Sequence, residues 1–455
     1  MKRLIVVVAM SAMFLLLYIM SRNVITKDDL FSATNFKVHP HTLGTEYKVW
    51  PAFSSKGKHS KEWYVKNCFG GAFTEGVKEL ILKQIPQWSR STVPDCVDLY
   101  DQFDQLYEVH HRYTPKLTFP QKYAEKMEKK FHGNKAFLES VHHQMIIHVF
   151  QPLTGEHSMY NDVRTKRPRP KVLVNLHEWV DRQANETQAN CDFCNMKNMT
   201  ATDAFGRHPT PKTMRVSNTF KAERWHCLII TRHQHHPLNF TLDTFIAFFD
   251  EALIYAREVA HAEEKYIYPS LTWDSLYQAG VSQLHPHIHI MMTPDHYYGF
   301  YEHLRSAGQR YYDATGRNYF ATLLEIHTAL GLTVHYGRAV AFPTIAGKAD
   351  MEIMFLSEAP GEDLYRLIFF SIAAYHDTYT QLCKGFSASY PAEGDSGAAR
   401  LGRIPVIARL ISRGDCTSPR TDYTSYEIFL FVDRYQDPWN VAQAIRTAIE
   451  KHDKA

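Results

Sequence analysis

From about residue 144 onward the chain alternates short apolar runs with turn residues, the pattern of strands. The runs are MIIHVF (145–150), KVLVNL (171–176), CLIIT (227–231) and HIHIMM (287–292). Between the last two, residues 242–264 repeat their apolar positions every three or four residues, which predicts an amphipathic helix. The second half repeats this rhythm more weakly. It predicts strands over 335–345 and 351–357, a helix over 364–383, a strand over 403–412 and a terminal helix over 438–451. Two successive units of similar order point to an internal duplication within an α+β fold. Upstream, residues 23–140 are mixed polar and aromatic sequence with turn signals such as Gly70-Gly71, and 121–145 reads as helix with a Gly133-Asn134 break.

At the N-terminus, Leu4 to Met20 form an uncharged run of 17 residues behind Lys2 and Arg3. As a helix it spans roughly 25 Å, enough for a thin bilayer. The run ends in YIMSRN without an Ala-x-Ala-like site, so a signal anchor is preferred to a cleaved signal peptide. The predicted divisions are an anchor over 1–22, an extension over 23–140, a first unit over 141–300 and a second over 301–455. The Lys/Arg asymmetry around the run is weak. Sequons at Asn185, Asn198 and Asn239 favour a luminal C-terminal part, in the endoplasmic reticulum or Golgi, and a glycoprotein. Two of them lie close to the metal ligands proposed below, which argues against glycans on both.

Composition removes several classes of function. Of 455 residues, 45% are hydrophobic and 22% charged, which excludes wholesale disorder and rod-like repeats. Lys plus Arg is 51 against 48 Asp plus Glu, a net charge of +3. That balance does not suit a general nucleic-acid binder. Seven cysteines do not build a disulfide scaffold; Cys68 and Cys96 could pair in an oxidising lumen, which the sequence alone does not decide.

The chemistry concentrates in Ser282-Gln283-Leu284-His285-Pro286-His287-Ile288-His289. On a strand, His285, His287 and His289 share one face. Three imidazoles on one face are costly to bury unless they bind something. A neutral imidazole attacks phosphorus to form a covalent histidine–nucleotidyl intermediate, splitting a difficult exchange into two in-line steps. A neighbouring imidazole donates a proton. Cys191-Asp192-Phe193-Cys194 is a redox pair, a disulfide or half of a zinc site. A Cys2His2 set is completed by His285 and one of His233, His235 or His236.

Four islands in order resemble the histidine-triad superfamily, in its galactose-1-phosphate uridylyltransferase branch. They are Gln151-Pro152-Leu153-Thr154-Gly155-Glu156 … Arg164-Thr165-Lys166-Arg167-Pro168, the C-x-x-C at 191–194, the His-rich turn at 233–236, and Gly280 to His287. The match covers residues 146–300 well and 320–450 faintly. The resemblance implies two tandem histidine-triad-like repeats of antiparallel sheet with packed helices, the second degenerate, a nucleotide cleft, and a homodimer. It makes His287 the nucleophile that takes up the nucleotidyl group and Ser282 a phosphate-facing serine. It makes Cys191, Cys194 and His285 ligands of one structural zinc. His236 is preferred as fourth ligand, 49 residues before His285, with His235 as the alternative. Arg164 and Arg167 match phosphate-facing residues, Asn218 and Phe220 match base and ribose contacts, and Tyr426 and Glu427 match sugar contacts. The family's second metal-binding H-x-H falls on Val406 and Ala408, so no second metal is expected.

One departure matters. Where the transferases carry Gln after H-P-H-x, this chain has His289. Glutamine only hydrogen-bonds to the nucleotidyl group, whereas histidine also donates a proton. The expectation is a nucleotidyltransferase exchanging UMP between a nucleotide sugar and a sugar phosphate. The alternatives are a nucleotide-sugar or dinucleotide hydrolase or phosphorylase, and a membrane-anchored binding protein with a lapsed site.

Overall fold

The computed structural model describes residues 50–131, 133–167, 174–392, 404–418 and 423–454. The described residues belong to one compact unit. Three strands come first: β1 (Glu108–Tyr113), β2 (Met145–Gln151) and β3 (Glu156–Tyr160). The next five are β4 (His208–Pro209), β5 (Thr213–Ser217), β6 (Trp225–Thr231), β7 (Tyr268–Ser275) and β8 (His287–Thr293). Five more follow: β9 (Val334–Tyr336), β10 (Ala339–Pro343), β11 (Ile353–Ser357), β12 (Lys384–Ser389) and β13 (Val406–Ser412). Strand β14 (Val432–Arg434) pairs parallel with β3 and closes a small sheet of order β1-β2-β3-β14.

The ten remaining strands make one antiparallel sheet of order β4-β5-β6-β8-β7-β12-β13-β11-β10-β9. The order reads alike from either edge, and the two five-stranded halves meet at β7 and β12. Each half inserts one long helix at the same point. Leu242–Ala262 follows β6, and Glu362–Tyr379 follows β11. The pairing register extends the correspondence to single residues. Leu228, His289, Thr272, Ser387, Arg409 and Met354 lie in one row across the sheet. Arg409 therefore stands in the second half where His289 stands in the first.

The helix Leu242–Ala262 buries Phe245, Phe248, Phe249, Ala252, Tyr255, Ala256 and Val259, a stripe at helical spacing. Thr241 caps it by accepting from the Thr244 N–H at 3.3 Å. Ile288, Ile290 and Met292 of β8 join these residues in the main core. Alternation then turns His287 and His289 to the other face.

The N-terminal helices Lys61–Cys68 and Pro94–Leu106 pack on the helix Tyr319–Ala329 of the second half. A disulfide joins Cys68 to Cys96 with Cα atoms 5.4 Å apart, and a second joins Cys383 to Cys416. Residues 50–107 thus belong to the core around the second half. The expected strand over 171–176 does not extend to its end. Asn175 caps a helix over Leu176–Gln188, and residues 171–173 lie outside the described set. The region 121–145 does break where expected, into Gln121–Lys130 and Lys135–His142, with Asn134 as the second cap.

The expectation of a single-pass membrane protein does not stand. Among the described residues no helix is long and apolar enough to cross a membrane. The run Leu4 to Met20 that motivated it lies outside them.

Candidate active site and metal centre

Cys191, Cys194, His235 and His285 converge, with one ligand atom of each within 4.8 Å of all the others. The Cys194 sulfur lies 3.4 Å from His235 Nδ1 and 3.5 Å from His285 Nδ1, and the Cys191 sulfur 3.7 Å from His285 Nδ1. A tetrahedral ion with metal–sulfur bonds of about 2.3 Å and metal–nitrogen bonds of about 2.0 Å requires sulfur–nitrogen edges of about 3.5 Å. The donor set therefore has the size and shape of a tetrahedral metal site. Burial and the adjacent Cys191 push the Cys194 thiol up to about 12, and a cation held between the sulfurs would favour its thiolate. The outer nitrogens are also tied down. His285 Nε2–H donates to the Thr231 carbonyl at 2.8 Å, and His235 Nε2 lies 3.1 Å from the Thr187 hydroxyl. Each bond turns the ring's Nδ1 towards the sulfurs.

The fourth member is His235, not His236. The His236 ring turns away, with Nε2 3.0 Å from Asp181 and Nδ1 accepting the Leu238 N–H at 3.2 Å. Adjacent loop residues point in different directions, and spacing along the sequence does not say which one turns inward.

His287 begins β8 beside this cluster. Its Nδ1–H donates to the His285 carbonyl at 2.8 Å, which leaves the Nε2 lone pair as the ring's nucleophile. Burial lowers its pKa and keeps the imidazole neutral. Phe193 packs edge-on against the ring at 5.0 Å, so the turn carrying Cys191 and Cys194 also positions His287.

His289 belongs to a pair that the sequence did not disclose. The Ala222 N–H donates to His226 Nδ1 at 3.1 Å, so the proton of His226 sits on Nε2. From there it is shared with His289 Nδ1 at 3.0 Å. His289 consequently carries its own proton on Nε2, as a donor. Burial, then the neighbouring His287 and His226, pull the His289 pKa to about 3. Burial and Lys221 pull that of His226 to about 4. The only sequence trace of His226 is one imidazole in the apolar strand WHCLIIT.

A cleft of about 250 Å³ opens over His287 and His289. Asn218, Phe220, Ser282 and Gln283 line it, so three of the residues singled out from the sequence as ligand contacts share the cleft with His287. Phe220 is 90% exposed, which excludes an ordinary core role for its ring. The loop bearing Ser282 turns through Leu276 at φ +69° and Gly280 at φ +113°, the second a conformation suited to glycine. Asp274 of β7 also lines the cleft, and its sequence context gave no signal.

The other expected contacts gather elsewhere. Arg164, Arg167, Tyr426 and Glu427 are not among the residues lining the cleft. Arg164 is paired with Asp433, and its guanidinium lies 5.5 Å from the Tyr426 ring centroid. Arg167 donates to the Tyr435 hydroxyl at 3.3 Å. Glu427 accepts the Thr424 N–H at 2.9 Å and caps the short helix Ser425–Phe429. Within one chain these four do not meet His287.

Among the described residues, the matching position of the second half is filled by a packed side chain. Arg409 is buried, paired with Glu156 at 2.5 Å and with Glu352, and lies 4.3 Å from the Phe300 ring centroid.

The chain matches no family model and no curated protein. Solved structures do match. An ADP-glucose phosphorylase from Arabidopsis thaliana, solved with bound ADP-glucose, aligns over 66% of this chain and 98% of its own at 13% identity, with a TM-score of 0.50. The fold is shared with that phosphorylase. A uridylyltransferase aligns over 67% of this chain and 98% of its own at 13% identity, with a TM-score of 0.43. A yeast Ap4A phosphorylase with AMP aligns over 73% and 93% at 13% identity, with a TM-score of 0.29.

Proposed function

We propose that the protein transfers a nucleotidyl group from a nucleotide sugar through a covalent adduct on His287, within the histidine-triad superfamily. The carrying observation is the setting of that ring: neutral, buried, Nδ1 committed to the His285 carbonyl, and part of the cleft wall. In the first step Nε2 attacks the α-phosphorus in line, and the sugar phosphate leaves. His289 Nε2–H lies on the same face and stabilises the phosphoryl oxygens. In the second step an acceptor phosphate displaces His287. Phe220 and Asn218 hold the base and ribose, and Ser282 the phosphate. The shared fold with an ADP-glucose phosphorylase supports a nucleotide sugar as the donor.

Cys191, Cys194, His235 and His285 would hold one zinc ion, whose role is to fix two loops against the nucleophile strand. We further propose that the matching strand order of the two halves reflects two histidine-triad repeats, with the second closed by Arg409. Arg164, Arg167, Tyr426 and Glu427 would then serve a second copy's cleft in a homodimer.

A hydrolytic reading is favoured by one observation, the His226–His289 pair, which provides a proton donor where glutamine would provide none. Phosphorus NMR of the full chain with UDP-glucose or ADP-glucose separates the readings. Nucleoside diphosphate or exchanged nucleotide sugar, formed only with phosphate or galactose 1-phosphate, supports transfer. Nucleoside monophosphate formed without an acceptor supports hydrolysis. No turnover by the zinc-loaded protein under either condition would refute both.

A further inference from the structure

Any water that finishes the reaction must lose a proton. A sugar phosphate, with a second pKa of about 6, and inorganic phosphate, through its first ionisation, both arrive with an ionised oxygen near neutrality. Water has a pKa of about 15.7 and needs a base. His287 is occupied by the nucleotidyl group at that stage. His289 is unsuited, because its Nδ1 accepts from His226 and its Nε2 already carries a proton. Two acids remain on the cleft wall, Asp192 and Asp274. Asp192 lies on the metal-binding turn between Cys191 and Cys194.

Asp274 is placed differently. Thr272 pairs with His289 across β7 and β8, and Asp274 follows two residues along on the same face, at the end where His287 begins β8. Its cross-strand neighbour is Gly385, so no side chain covers the carboxyl from β12. A Cβ at Gly385 would lie 3.1 Å from the Asp274 Oδ1 atom. The neighbouring cation is Arg413, whose Nη1 is 3.8 Å away while it donates to the Ala279 carbonyl at 2.7 Å. A cation at that distance steadies the carboxylate without consuming it in a close pair.

From this placement we infer that Asp274 is the general base for water attack on the His287–nucleotidyl adduct, and so sets the share of hydrolysis against transfer. The inference rests on the covalent reading above. Water adds to phosphorus as the Nε2–P bond breaks, the bond pair returns to His287 Nε2, and the water proton passes to an Asp274 carboxylate oxygen. The products are nucleoside monophosphate, neutral His287 and protonated Asp274, which returns its proton to solvent. Burial raises the Asp274 pKa to about 6, against the pull of Arg413, which suits a base working near neutrality.

The test follows labelled UDP-glucose or ADP-glucose on full-length Asp274→Asn, measuring adduct formation, turnover in water and turnover with inorganic phosphate. Water turnover should fall at least about a hundredfold, and by at least about thirtyfold more than either adduct formation or phosphate turnover. A normal adduct in the variant also shows that it is folded. A parallel fall in both turnovers, or no change in either, overturns the assignment. So does a selective loss of water turnover in Asp192→Asn with Asp274→Asn unaffected. A parent protein that forms no adduct defeats the covalent reading itself, a result readily told apart from the others.

Discussion

The two halves of the ten-stranded sheet share strand order, helix insertion and register, yet they differ where it matters. In the row across the sheet, His289 faces a cleft of about 250 Å³, and Arg409 faces two carboxylates and a phenyl ring. One scaffold has produced an open polar site and a sealed ionic one. The sealing group comes from outside the sheet. Glu156 belongs to the small sheet, and the entry motif that brings it in, Gln151 to Glu156, therefore works on the second half. The first half instead receives the turn carrying Cys191 and Cys194, which packs Phe193 on His287. What covers each half decides its chemistry, more than the strands do.

The comparison can be broken most severely at the nucleophile. His287→Ala should abolish adduct formation and lower turnover by at least about a thousandfold, while leaving the fold intact, as read by stopped-flow labelling and circular dichroism. Its equivalent row in the second half should respond the opposite way. Arg409→Met leaves two carboxylates buried without a cation, and should cost about 3–5 kcal/mol in denaturant unfolding. If Arg409→Met were as stable as the parent, the second half would not depend on that ionic seal.

The disulfide Cys68–Cys96 staples the N-terminal helices together across 28 residues, on the side of the second half. The double substitution Cys68→Ala with Cys96→Ala should lower stability by about 3–4 kcal/mol in the same unfolding measurement. Adduct formation by the folded fraction should be unchanged, because neither cysteine lines the cleft. Smallest of the effects, His226→Ala frees the His289 tautomer and should slow adduct formation by about tenfold.

The main strands and both long helices were legible because their periodicity is strong: CLIIT, HIHIMM and the Phe-rich stripe of 242–262 each name their own face. The Cys2His2 set was legible to within one residue. The choice between His235 and His236 depends on loop direction, which periodicity does not encode. Strands β5, β7 and β12 were missed because TMRVS, YPSLTWDS and KGFSAS mix polar residues into buried positions. The N-terminal helices were missed since their apolar residues serve a core contributed by residues hundreds of positions away. Asp274 and His226 gave no signal of their own, because their roles arise from neighbours on adjacent strands. Arg164 and Tyr426 lie together, and neither lines the cleft over His287, a placement that sequence spacing does not encode.

The central claim is that His287 takes up a nucleotidyl group. The direct measurement is peptide mass spectrometry of the full-length, zinc-loaded protein after brief incubation with UDP-glucose or ADP-glucose, quenched in base to preserve a phosphoramidate. The account predicts an acid-labile nucleotidyl adduct on the peptide containing His287, lost in His287→Ala and discharged by added phosphate. An adduct that persists in His287→Ala, or no adduct with either nucleotide sugar, would contradict it.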